Sequence, residues 1–102
     1  MTILKVKSQD KFYKKSIGLL GKNEAEAIYF QTRFGIHTFF MQFPIDVLIL
    51  DQNYKVVKAA ENLLPNKIFL WSPLFDKVLE LPAGELIKNK IKIGDKIILQ
   101  FI

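Results

Sequence analysis

Val47 Leu48 Ile49 Leu50 is apolar at every position, so it predicts an inner strand covered on both faces. Weaker strand patterns surround it. Thr2 to Lys7 alternates apolar and polar residues, Ala27 to Thr32 is rich in strand formers, and Lys55 to Ala59, Ile68 to Trp71, Lys77 to Leu81 and Ile97 to Phe101 follow. Asp51 Gln52 Asn53 Tyr54 predicts a hairpin turn with Asn53 left-handed, while Leu64 Pro65 Asn66 and Ile93 Gly94 Asp95 Lys96 mark further turns. Asp10 can cap a short helical segment through Phe12, Tyr13, Ser16 and Leu19, ended by Gly21. Pro82 should stop the preceding strand, and Glu85 to Lys90 fits one or two helical turns with its glutamate at the positive end of the dipole. Turn signals arrive about every ten residues, which predicts a mostly β domain with one or two short helices.

Size and composition narrow the function classes. A chain of 102 residues, 50% hydrophobic, makes one domain over 1–102 with a single core. With no cysteine and one histidine, it offers no disulfide, no thiolate site and none of the usual zinc ligand sets, so neither a metal nor a cofactor is expected. The N-terminal residues lack the apolar run of a signal peptide and no stretch reaches the ~18 apolar residues of a membrane span, so a cytoplasmic protein is expected. The net charge of +5 would suit an anionic partner, yet apart from Lys14 Lys15 the lysines are spread singly, as on solvated faces. That spread argues against nucleic acid.

The single arginine and the single histidine lie four residues apart, in Arg33 Phe34 Gly35 Ile36 His37, leading into Thr38 Phe39 Phe40 Met41 Gln42 Phe43 Pro44 Ile45 Asp46. Lysine supplies the other fourteen basic side chains, so a lone arginine suggests a place that needs a planar, bidentate donor. If 33 to 41 were one strand, Arg33 and His37 would share a face but stand ~13 Å apart. A turn at Gly35 would let them share one anion.

Gly18 Leu19 Leu20 Gly21 Lys22, then Gly35 to Met41 with Phe43 Pro44 Ile45 Asp46, then Leu79 Glu80 Leu81 Pro82 Ala83 Gly84, then Gly94 Asp95, follow in an order that resembles the family known as domain of unknown function 192. Lys22 stands where that family usually has arginine, and Asn53 Tyr54 where many relatives carry aspartate and glycine. The resemblance implies a compact, mostly β fold: a jelly-roll-like two-sheet sandwich or partly open barrel with short helices. It implies no activity.

The residues themselves leave three readings. In the first, Arg33, His37, Thr38, Met41, Asp46 and Glu80 line a site near 33–46 in a noncatalytic binding module for a small anionic or polar ligand. In the second, a small hydrolase or isomerase uses His37 with Asp46 or Glu80 as acid and base, although no nucleophile elbow or glycine-rich phosphate loop is visible. A third is a protein-interaction module, which predicts an exposed apolar patch or edge strand away from the motif. Structural roles compete with each: Arg33 could salt-bridge Glu80 or Asp46, Thr38 could bond backbone, and Asp46, heading a buried strand, needs amides or a cation as partners.

Overall fold

The computed structural model describes residues 2–8, 27–39 and 41–102. The helical segment expected from Asp10 to Gly21 and the Gly18 to Lys22 block lie outside them. Among the described residues eight strands are seen: β1 (Thr2–Ser8), β2 (Ile28–Gln31), β3 (Gly35–His37), β4 (Ile45–Leu50), β5 (Val56–Leu63), β6 (Ile68–Leu70), β7 (Lys77–Pro82) and β8 (Ile97–Phe101). One short helix, α1 (Glu85–Lys88), follows β7.

Six strands form a curled, mixed sheet in the order β5-β4-β7-β2-β1-β8, and β3 with β6 makes a separate two-stranded ribbon. The large sheet is antiparallel from β5 to β2, whereas β1 runs parallel to both β2 and β8. Its edges meet at one corner. Lys55 and Lys96 bridge there, Val56 N–H donates to Asp95 O at 2.9 Å, and Gly94, with φ of 93°, donates to Val56 O at 2.8 Å. The result is the partly open barrel form of the expected β architecture.

β4 sits inside the sheet and all six of its residues are buried, as its apolar run predicts. Each face of the sheet carries its own core. One holds Leu4, Val6, Leu48, Leu50, Leu81 and Leu86; the other holds Ile28, Phe30, Ile36, Val47, Ile49 and Trp71. Alternation along β4 and β7 assigns each side chain to a face. Asp46, in register with Leu81, lies on the first face, and Glu80, in register with Val47 and Ile28, on the second. The ribbon covers the second face, inserting Ile36 and Phe69.

In the β4–β5 hairpin the left-handed residue is Tyr54, with φ of 62°, rather than Asn53. The reason is an Asx turn: Asp51 Oδ1 accepts the amides of Asn53 at 2.8 Å and Lys55 at 3.0 Å, which places the positive φ between those two anchored residues. Pro82 ends β7 opposite Ile45, as expected of a residue without a backbone donor. Gly84 then takes φ of 98°, a conformation that favours glycine, and starts α1.

Candidate functional site

The block from Arg33 to Asp46 bends one residue earlier than its glycine suggests. Gly35 N–H donates to Arg33 O at 2.9 Å across Phe34, whose φ of 76° makes this a γ-turn. Gly35 is required for a different reason. A Cβ there would lie 2.5 Å from Leu70 Cδ2 and 2.8 Å from Phe69 O, so the absent side chain is what lets Leu70 fold across the ribbon.

The turn directs Arg33 away from both carboxylates considered as its partners. Its Nη1 donates to Pro73 O at 2.5 Å and its Nη2 lies 3.7 Å from Asp76 Oδ2, so the guanidinium staples the 72–76 loop to the γ-turn. With about half of that side chain in solvent (53%), the ion pair contributes at most about 1 kcal/mol.

Thr38 is fully buried and its hydroxyl is engaged within the protein. It donates to Leu64 O at 2.7 Å and accepts from Lys67 N–H at 2.8 Å, while its carbonyl accepts Asn66 N–H at 2.9 Å and Met41 N–H at 3.2 Å. Thr38 therefore holds the 64–67 turn against the end of β3. Met41 and Phe43 pack, partly buried, against the core under the ribbon.

Asp46 is a structural hub. Oδ1 accepts Asn62 N–H at 2.8 Å, and Oδ2 accepts Gly84 and Leu86 N–H, each at 3.0 Å. Gly84 has no capping side chain, so the carboxylate caps α1 from the neighbouring strand β4 and also fixes Asn62, which has φ of 51° in β5. A cleft of about 330 Å³ opens beside it, lined also by Glu61, Ala83 and Ile87. Glu80 is fully buried on the opposite face.

His37 lies on the ribbon itself. The register pairs it with Ile68, and Gly35 with Leu70, so these four residues form the outer face of the ribbon while Ile36 and Phe69 point inward. Its ring stacks on Phe39 at 4.8 Å and 23°, and Nδ1 accepts Phe39 N–H at 3.3 Å. That bond assigns the neutral ring's proton to Nε2.

The structure thus gathers Arg33, His37 and Thr38 around β3 but does not bring Asp46 to them, since it occupies the other face of the sheet. Glu80 lies on the ribbon's side yet is enclosed in the core. Among the described residues, no three or more His, Asp or Glu side chains form a group able to hold a metal ion.

Ile68, Leu70, Lys58 and Asp76 are residues that the motif did not suggest. Ile68 Phe69 Leu70 is apolar on both faces, and such a run reads as a strand covered on both sides. The available signal was on its partner: Gly35 and His37 offer little to cover Leu70 and Ile68.

The family model described as uncharacterized ACR, domain of unknown function 192, matches residues 2–99. The chain belongs to this family. A UPF0127 protein of Pyrococcus abyssi is 35% identical over 99 residues, covering 91% of this chain and 84% of the relative. One from Pyrococcus horikoshii is 36% identical over 98 residues, covering 90% and 84%. A solved protein of unknown function from Novosphingobium aromaticivorans superposes with a TM-score of 0.76 at 20% identity, covering 89% of this chain and 71% of that one. The last likeness concerns the fold alone, so the domain of unknown function 192 assignment brings an architecture and no reaction.

Proposed function

We propose that this protein is a noncatalytic binding module that meets a small polar or anionic group at the His37 side of the 33–46 segment. The observation that carries this reading is the division of labour within the segment. Thr38 and Asp46 are buried with their polar atoms on backbone amides and carbonyls, whereas His37 lies partly exposed on the outer face of the ribbon, near the exposed Arg33. Arg33 and Thr38 then fix the loops on either side of the His37 surface, and Met41 packs in the core beneath the ribbon.

Binding is favoured over acid–base chemistry by the placement of the carboxylates. A general acid or base pair needs hydrogen-bond reach or one intervening water, and Asp46 is across the sheet with three amides on its oxygens. Glu80 is enclosed.

The test is an amide-resolved NMR titration with acetate and with inorganic phosphate. Shifts should cluster in residues 33–39 and 67–71, and His37→Ala should abolish them. Shifts distributed over the lysines instead, or the same response in His37→Ala, would overturn this reading.

A further inference from the structure

The outer face of the β3–β6 ribbon is apolar to an extent that a small ligand does not explain. Ile68 is 62% exposed and Leu70 61%, with Phe34 at 64% and Leu74 at 81% nearby. Phe39, stacked on His37, extends the surface, and Leu64 borders it. Contiguous exposed apolar side chains of this kind mark interaction sites.

Basic side chains border the face. Residues 33–39 and 64–75, which make the ribbon and its bounding loops, contain Arg33 and Lys67 and no acidic residue. Lys58 joins them from β5, donating to Leu70 O at 2.6 Å with its ammonium 5.0 Å from the centre of the Phe69 ring. The neighbouring Asp76 is paired with Arg33 and Lys77, which offsets Arg33 and leaves Lys58 and Lys67 as the cations that bear on a partner.

From this we infer that the ribbon docks an apolar segment of a partner protein that carries aspartate or glutamate beside its apolar side chains. The inference rests on the binding reading above and names its partner class. A second copy of this chain would bring an equally basic rim against this one, which like-charge repulsion disfavours. A lipid surface fits less well, because among the described strands β6 is paired along one edge alone, and backbone polar groups do not enter hydrocarbon unsatisfied. A protein segment can meet both the side chains and that backbone.

The experiment is selection of a phage-displayed random dodecapeptide library against the full chain, with counter-selection on Leu70→Asp. Leu70 is exposed, so this variant should keep its fold, which Trp71 fluorescence in urea checks. Enriched peptides should place at least two acidic residues beside an apolar stretch. The best of them should shift the amides of 34–39 and 67–71, lose at least tenfold in affinity to Leu70→Asp, and lose at least tenfold when their acids become lysines.

Failure to enrich peptides, enrichment indifferent to Leu70→Asp, or affinity indifferent to the acids would overturn the inference. So would binding to phosphatidylserine vesicles in place of peptides, or self-association that Leu70→Asp abolishes. If acetate or phosphate moves His37 while peptides fail, this inference falls and the binding reading stands. If none of these probes perturbs the ribbon, both fall.

Discussion

Replacing Asp46 tests whether one carboxylate organises three parts of the fold. In Asp46→Ala, the amides of Asn62, Gly84 and Leu86 lose their acceptor together. Hydrogen bonds to a charged group contribute about 1.5–3 kcal/mol each, and an unsatisfied buried donor costs about 1–3 kcal/mol. The side chain is only 1% exposed, but the cleft beside it can admit water to some of the freed amides, which puts the expected loss at the lower end, about 3–5 kcal/mol. A domain of this size has about 5–15 kcal/mol in total, so the variant should be severely weakened.

Asp46→Asn gives a finer comparison. If its carbonyl keeps the Gly84 and Leu86 amides, its NH₂ must face the Asn62 amide, so one bond is lost and two donors oppose each other. The loss should be about 1.5–3 kcal/mol. Urea unfolding followed by Trp71, the single tryptophan, reads both variants. With a slope of about 1.5 kcal/mol per molar, Asp46→Ala should lower the midpoint by roughly 2–3 M, and Asp46→Asn by about half as much. Amide exchange should quicken at Asn62, Gly84 and Leu86 in both. A loss below about 1 kcal/mol for Asp46→Ala would mean that the three amides find other partners and that Asp46 is no hub.

Three other expectations follow from the same geometry. Gly35→Ala forces its new methyl toward Leu70 Cδ2 and Phe69 O, and should cost about 1–3 kcal/mol in urea; adding Leu70→Ala should recover part of it, because the carbonyl clash stays, and full additivity would disprove the contact. Arg33→Lys should change stability by less than about 1 kcal/mol, since the staple to Pro73 and Asp76 is solvent-exposed; a larger loss would show a role the loop contacts do not contain. Burial, reinforced by the neighbouring Tyr54, pushes the Tyr29 phenol up from 10.0 to about 12, so the unfolded chain releases this proton first and stability falls as pH rises across that interval. Tyr29→Phe should flatten the urea midpoint between those pH values relative to the native protein, and an unaltered slope would count against the burial argument.

The strands were readable because burial on two faces leaves its mark on composition. β4 reads as an inner strand from Val47 to Leu50 alone, β8 coincides with Ile97 to Phe101, and Gly84 and Gly94 mark turns whose positive φ favours glycine. Local signals of this kind depend on near neighbours, and the sequence contains them. The ordered blocks from Gly35 to Asp95 pointed to the family for the same reason.

Pairing across long separations was not readable in that way. Asp46 needed amide partners, but that they belong to Asn62, Gly84 and Leu86 depends on how β4, β5 and β7 stack in register. Arg33 and His37, four residues apart, were drawn together by proximity in the chain and then given different tasks by a γ-turn at Phe34. Alternation along a strand states that two faces exist without stating which is covered, so Ile68 and Leu70 could pass for core. Their exposure was settled when the ribbon laid Ile36 and Phe69 on the sheet and turned its other apolar face outward.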